Sequence, residues 1–279
     1  MFKEEFMRIV TNVTFYLSVV AATILMMMGT FYTVPDTGKE YTFFDVAFGK
    51  DRGIISESEM TSEEIIIKGI NNPYYEMFLP LLVIIPFIVG IYGDKKNSIT
   101  RFQIYRTGKW RYALGKFMAV MISGGIIAMF AQVIFSMAVY RLFPNEKSEM
   151  FEMNKMFLKQ QSVFCRYIMN HLGDTGLYIL KFVRVFLYGA FSTVTAFALS
   201  AVIKNRYIVM TIPVVLEYMW GRFINKSTNS KMLSLRSSEI GNVFQYDLSW
   251  MLPFFIMIVI ISFVFYMVCL ERKCDCGEE

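Results

Sequence analysis

The sequence predicts an all-α integral membrane protein with six membrane-spanning helices. Of its 279 residues, 55% are hydrophobic, including 27 Phe and 21 Met, and the apolar residues recur in long runs along the chain. A run of about 20 apolar residues matches the roughly 30 Å hydrocarbon core of a bilayer. The backbone inside lipid must satisfy its own hydrogen bonds, and the alternating pattern of a membrane β-barrel is absent, so we predict that these runs are helices.

The six predicted spans form one transmembrane domain over residues 1–279. They cover roughly residues 10–32, 75–92, 113–140, 177–203, 207–220 and 252–270. No small-residue cleavage pattern follows Gly29, so the first run is predicted to be a permanent span and not a signal peptide.

Basic residues concentrate between the second and third spans and orient the chain. One acid, Asp94, stands there among seven bases, namely Lys95, Lys96, Arg101, Arg106, Lys109, Arg111 and Lys116. Cytoplasmic loops carry an excess of Lys and Arg, so this loop is predicted to be cytoplasmic. Both termini and the turn at 204–206 then also lie inside, and the extracellular segments are 33–74, 141–176 and 221–251.

Two segments outside the spans show helical periodicity. Phe2, Phe6, Ile9 and Val13 fall on one stripe, with Lys3, Glu4, Glu5 and Arg8 away from it, which predicts a helix along the inner membrane face. The alternative is that this segment is the frayed start of span one. In the outer segment 141–176, an apolar stripe predicts an amphipathic interface helix or, alternatively, part of a small folded cap; its members are Met150, Met153, Phe157, Phe164 and Ile168.

The basic loop also contains apolar and aromatic residues that a solvated loop does not need. Ile99, Phe102 and Tyr105 are three residues apart and therefore share one face of a helix, with Arg101 and Arg106 beside them. A short helix over residues 98–107, ended by Gly108, would suit docking into a groove of a cytosolic partner. The competing interpretation is that the bases serve membrane topology alone.

This loop resembles the cytosolic loop of ABC-2 type transporter permeases. The resemblance is carried by the polar break at Gly93-Asp94, the short helix at 98–106, and the pairs Arg111-Tyr112 and Gly115-Lys116 that enter span three. Asp94 stands where the family usually has Glu. The six spans, cytosolic termini, N-terminal interface helix and polar stretch before span six are similar to that family as well.

The resemblance implies one membrane subunit of an exporter in the bacterial plasma membrane. Such a subunit pairs with a second permease subunit and with separate cytosolic ATPase subunits that bind ATP and Mg²⁺, and its short helix couples to the ATPase. The implied coupling residues are Ile99, Arg101, Phe102, Tyr105 and Arg106. Peptides, antibiotics and other amphiphiles are the expected cargo.

We expect no cofactor on this chain itself. A phosphate-binding loop needs Ser or Thr after its Gly-Lys, but Gly108-Lys109 precedes Trp110 and Gly115-Lys116 precedes Phe117. No nucleic acid is expected as a partner.

The alternatives are a stand-alone membrane protein, such as a bacteriocin-immunity factor or secondary transporter, and a membrane enzyme. His171 is the one histidine, and Glu63-Glu64 only faintly resembles the paired glutamates of CAAX-type intramembrane proteases, which also need further histidines. Cys269, Cys274 and Cys276 are predicted to be a reduced cytosolic tail in preference to a metal site.

Ionisable residues inside spans are costly and therefore mark candidate functional positions. Glu217 lies in span five, and Lys181 and Arg184 lie three residues apart in span four. These three residues are predicted to line a substrate path or to form an intramembrane ion pair. Gln132 in span three is predicted to bond a neighbouring helix.

Overall fold

The structure is a computed structural model that describes residues 1–34, 38–48, 61–70, 72–96, 99–143, 156, 163–225 and 248–276. These residues are mostly helical. In chain order the elements are α1 (Phe2–Val10), α2 (Val13–Met27), β1 (Thr30–Thr33), β2 (Glu40–Thr42), α3 (Phe43–Ala47), α4 (Ser62–Ile70), α5 (Pro73–Lys96), α6 (Ile99–Thr107), α7 (Lys109–Leu142), α8 (Val163–Leu172), α9 (Asp174–Ser200), α10 (Arg206–Asn225) and α11 (Leu248–Cys276).

Three described helices are long and apolar enough to cross a membrane, and the membrane prediction is confirmed to that extent. They are Pro73–Asp94, Lys109–Leu142 and Tyr178–Ser200, which coincide with the second, third and fourth predicted spans. A fourth is added if α1 and α2, bent by 58° at their junction, count as one broken span. The apolar stretches described in the last two predicted spans, Arg206–Leu216 and Phe255–Glu271, are shorter.

The prediction for the first span was wrong at both of its ends. The helix breaks after Val10, where the Asn12 side chain accepts a hydrogen bond from the Thr14 backbone N–H at 3.0 Å and caps α2. It then ends at Met27 instead of continuing to residue 32, and the chain enters the antiparallel hairpin of β1 and β2.

The fold is therefore not purely α-helical, because the described residues include this two-stranded sheet. Thr and Tyr, which favour extended backbone, recur in both strands, and Gly38 supplies the positive φ of 64° that the turn between them needs.

The N-terminal helix is present as predicted, but its faces differ from the predicted stripe. Of the stripe predicted to face the membrane, Ile9 is instead buried within the protein, whereas Val13 is exposed. Glu5 was placed on the solvent side, yet it is buried and forms an ion pair with Arg8. The periodicity gave the helix correctly but missed that one of its charged residues is buried.

Helix α7 packs most closely against α9, along a seam of small residues. A Cβ added to Gly124 would lie 2.2 Å from Cγ2 of Thr193, and one added to Gly189 would lie 2.6 Å from the Gly124 carbonyl oxygen. Small residues let helix backbones approach this closely, which is how helices associate in lipid. The seam fixes the register of α9 on α7 and so decides which polar residues meet at its ends.

Two predicted outer features fall partly outside the described residues. Of the predicted amphipathic helix, only the part carrying Phe164 and Ile168 is described, as α8. Met150, Met153 and Phe157 lie outside the described residues. The polar stretch 221–251 is described only at its two edges, where α10 continues to Asn225 and α11 begins at Leu248.

Candidate functional site

The short helix predicted between spans two and three is confirmed as α6. Its exposed surface, which we call the docking face, consists of Ile99, Phe102, Tyr105 and Arg106. Phe102 is 69% exposed and Tyr105 is 90% exposed. Ile104 is buried and holds the helix to the rest of the protein. Arg101 belongs to the same helix, but its side chain lies outside what the structure describes.

The turn after α6 positions further basic and aromatic side chains near the docking face. Gly108 adopts a φ of 82° and donates its backbone N–H to the Ile104 carbonyl oxygen at 2.8 Å. The positive φ lets α7 begin directly at Lys109. Trp110 and Arg111 follow as exposed residues, and the Trp110 ring lies 5.8 Å from that of Phe263 on α11. Aromatic and basic groups therefore continue from α6 into the first turn of α7.

A buried ion cluster joins the end of α5 to α1 and α7, and we call it the Asp94 cluster. Arg8 donates from both terminal nitrogens to the two carboxylate oxygens of Asp94, at 2.9 and 2.8 Å. Nζ of Lys116 donates to Oδ2 of Asp94 at 2.7 Å and to the hydroxyl of Tyr112 at 3.1 Å. Glu5 completes the cluster through Arg8 at 2.8 Å.

The Asp94 cluster lines a cavity and lies just before the docking helix. A cavity of about 250 Å³ is bordered by Glu5, Arg8, Asp94 and Lys116 together with apolar residues of α5. Asp94 precedes the first residue of α6 by five positions, so the carboxylate ties the chain leading into α6 to two other helices. Sequence analysis gave Lys116 a role in topology and the resemblance but did not find its partner.

A second ion cluster lies where α7 ends and α9 begins, and we call it the Glu63 cluster. Nζ of Lys181 donates to Oε2 of Glu63 at 2.9 Å, and the two side chains are 5% and 8% exposed. Oε1 of Glu63 lies within hydrogen-bond distance of the hydroxyls of Tyr140 and Tyr178, which are also 2.8 Å from each other. The two phenol protons serve two of these three contacts at a time. One carboxylate from α4 is thus bound by an ammonium and two phenols of α7 and α9.

The surroundings of Glu63 decide its charge state. Burial by itself would raise the pKa of this carboxyl, but the Lys181 ammonium and the hydroxyls of Tyr140 and Tyr178 outweigh burial and lower the pKa below its ordinary value. Glu63 is therefore ionised at neutral pH, and the cluster is a true ion pair.

The structure describes the side chains of two of the three predicted intramembrane residues. Lys181 pairs with Glu63, which sequence analysis had considered only for its faint similarity to protease glutamates. Arg184 is buried on α9. Glu217 belongs to α10, and its side chain lies outside the described residues. Among the described residues, the buried carbonyl oxygen of the Gln132 amide finds no hydrogen-bond partner.

The two ion clusters are suited to holding helices together. Each carboxylate in the two clusters faces Lys or Arg, and phenol hydroxyls bond Glu63 in one cluster and Lys116 in the other, so the charges are neutralised where they are buried. Among the described residues, no group of three or more His, Cys, Asp or Glu side chains could hold a metal ion. No family model, curated protein or solved structure matches this chain.

Proposed function

We propose that this chain is the membrane subunit of an ATP-driven exporter of the ABC-2 permease type. It would work with a second permease subunit and with separate cytosolic ATPase subunits that bind ATP and Mg²⁺. The proposal includes six spans with both termini in the cytoplasm of a bacterial cell. A peptide, an antibiotic or another amphiphile is the proposed cargo, and Glu217, Lys181 and Arg184 are the proposed path or wall residues.

The observation that carries this proposal is the docking face of α6. A nine-residue helix between two apolar helices exposes Phe102 and Tyr105 next to a basic residue, Arg106. Exposed aromatic residues at the centre of a surface patch are typical anchors of protein interfaces. The neighbouring bases favour an acidic groove on the partner, which suits a soluble ATPase subunit better than a neutral lipid surface.

The Asp94 cluster supports a role for α6 in transmitting movement. Asp94 links the end of α5 to Arg8 of α1 and to Lys116 of α7, and its two hydrogen bonds with Arg8 and one with Lys116 are all short. A displacement of the end of α5 would therefore act on α1 and α7 as well. This connection is what a coupling element requires.

The experiment measures the ATPase subunit bound to the docking-face variants. Tagged protein is purified from its own cells in mild detergent, and the ATPase activity and ATPase subunit that co-purify are quantified. Truncating an interface anchor costs about 2 kcal/mol, or about 30-fold in affinity at 1.4 kcal/mol per tenfold. Phe102→Ala and Tyr105→Ala should each show this loss, whereas Arg106→Ala, at the rim, should show less.

The matched control is Phe48→Ala. Phe48 is 84% exposed but follows α3, which lies far from α6 in the chain. Because all three aromatic side chains are largely exposed, none of the substitutions removes core packing. Wild-type amounts of ATPase in both the Phe102 and Tyr105 variants would contradict the proposal, as would an equal loss in Phe48→Ala.

A further inference from the structure

Helix α4 lies beside the last two turns of α7, and several elements hold it there. The hydroxyl of Ser62, its first residue, donates to the carbonyl oxygen of Phe143 just beyond α7, at 3.1 Å. Nζ of Lys68 donates to the carbonyl oxygen of Phe31 on β1, at 2.8 Å. A Cβ added to Gly69 would lie 2.4 Å from the Phe135 ring, so α4 touches α7 along its length.

The buried surface of α4 is mostly aliphatic, and this surface by itself does not fix the position of the helix precisely. Ile65, Ile66 and Ile70 are buried against the rest of the protein. Apolar contacts are non-directional, so they tolerate a shift of α4 that its polar groups, which have fixed partners, do not.

Glu63 is the group that distinguishes the observed position of α4 from a shifted one. Its carboxylate meets an ammonium and two phenol hydroxyls only while α4 lies over the start of α9. If α4 moved away, Glu63 and Lys181 would each lose a charged partner, and Lys181 would be left at the uncovered end of the bundle beside Arg184. A buried ion pair adds little net stability compared with apolar packing, but breaking it from one side is strongly unfavourable.

We propose that α4 is a removable cover over the end of the bundle formed by α7 and α9, and that the pair of Glu63 with Lys181 is the latch that holds it closed. The cover lies at the opposite end of α7 from the docking helix α6. Opening exposes the ammonium of Lys181 and the phenols of Tyr140 and Tyr178, which bind Glu63 in the closed position. The proposal stands on these contacts alone and does not depend on the exporter function.

The test measures how fast a cysteine on the cover reacts with a maleimide. The reporter is Ser62→Cys, in a chain whose four native cysteines, Cys165, Cys269, Cys274 and Cys276, are replaced by serine. The matched reporter is Ser123→Cys inside α7. Both serines are 1% exposed, and both donate to a backbone carbonyl oxygen. Purified full-length protein in lipid nanodiscs leaves both membrane faces open to the reagent.

Substitutions of either member of the Glu63–Lys181 pair are compared with the substitution of a neighbouring charged residue. Glu63→Gln and Lys181→Met should each raise the labelling rate at position 62 by tenfold or more, because closure then loses its ion pair. Glu64→Gln removes the same charge one residue further along α4 and should leave the rate unchanged. Ser123→Cys should stay unreactive in all of these backgrounds.

Three outcomes would overturn the proposal. An unchanged rate at position 62 in Glu63→Gln would mean that the cover does not need the latch. A response to only one of Glu63→Gln and Lys181→Met would mean that the two groups do not act as a pair. A higher labelling rate at both position 62 and position 123 would mean that the pair of Glu63 with Lys181 stabilises the whole bundle and not only the cover.

Discussion

Replacing Asp94 by Asn tests whether this one carboxylate joins α1, α5 and α7. Lys116 is 3% exposed and Asp94 is 7% exposed, so loss of the carboxylate leaves a buried ammonium without its charged partner. Breaking a buried pair in this way costs about 3–5 kcal/mol. Arg8 is 41% exposed and keeps its ion pair with Glu5, so the loss of its pair with Asp94 adds at most about 1 kcal/mol to the destabilisation.

The substituted side chain offsets some of this cost. The Asn carbonyl oxygen still accepts one hydrogen bond from Lys116, which returns about 1 kcal/mol. A net loss of about 2–5 kcal/mol remains, and at about 2–4 °C per kcal/mol the melting temperature should fall by roughly 4–20 °C. The assay heats detergent-purified protein and measures the fraction that still elutes as one species in gel filtration.

Two further variants make the Asp94 test decisive. Glu4→Gln changes an acid on α1 that is 83% exposed, and it should shift the melting temperature little. Asp94→Leu combined with Lys116→Met removes both buried charges and should recover at least half of the loss, because apolar groups can replace a buried ion pair at little cost. A fall of less than about 2 °C in Asp94→Asn would refute the assignment of Asp94 as the joint of the three helices.

Three other predictions concern packing, pH and the proposed path. Gly124→Ala should destabilise the protein by about 1–3 kcal/mol, because the new Cβ would lie 2.2 Å from Thr193. Gly93→Ala, whose Cβ would meet nothing within 4 Å, should be neutral or slightly stabilising. Thermal melting of the two variants measures this difference. The pKa of Glu63 lies below its ordinary value of 4.5, so the ion pair should contribute fully to stability above pH 4.5. This contribution should be lost as the pH falls below 4.5, and the melting temperature should fall with it. Glu63→Gln has no carboxyl group to titrate, so its melting profile should lack this loss. Glu217→Ala should reduce export while leaving the complex assembled; normal export would remove Glu217 from the path, and loss of assembly would favour a structural pair.

Local sequence properties determined the helices and the docking face. Runs of apolar residues long enough to cross lipid predicted α5, α7 and α9 nearly to their ends, because a backbone in lipid must satisfy its hydrogen bonds within the segment. The three-residue spacing of Phe102 and Tyr105, followed by Gly108, likewise predicted α6 and its exposed aromatic residues. These features depend on neighbours within a few turns of one helix, so their signal is present in the sequence.

The two ion clusters were decided by the tertiary structure alone. Arg8 and Asp94 are 86 residues apart, and Glu63 and Lys181 are 118 residues apart, so no periodicity relates the members of either pair. From the sequence, Glu5 was set apart from the apolar stripe of the N-terminal helix, and Lys181 was grouped with Arg184 and Glu217, because the sequence does not tell which helix ends meet. Tertiary packing determines which helix ends meet. The small residues Gly124 and Gly189 let α9 pack closely against α7, and the hairpin after Met27 returns the chain towards α4. A charge buried by this packing must find its partner among the residues that the packing brings near.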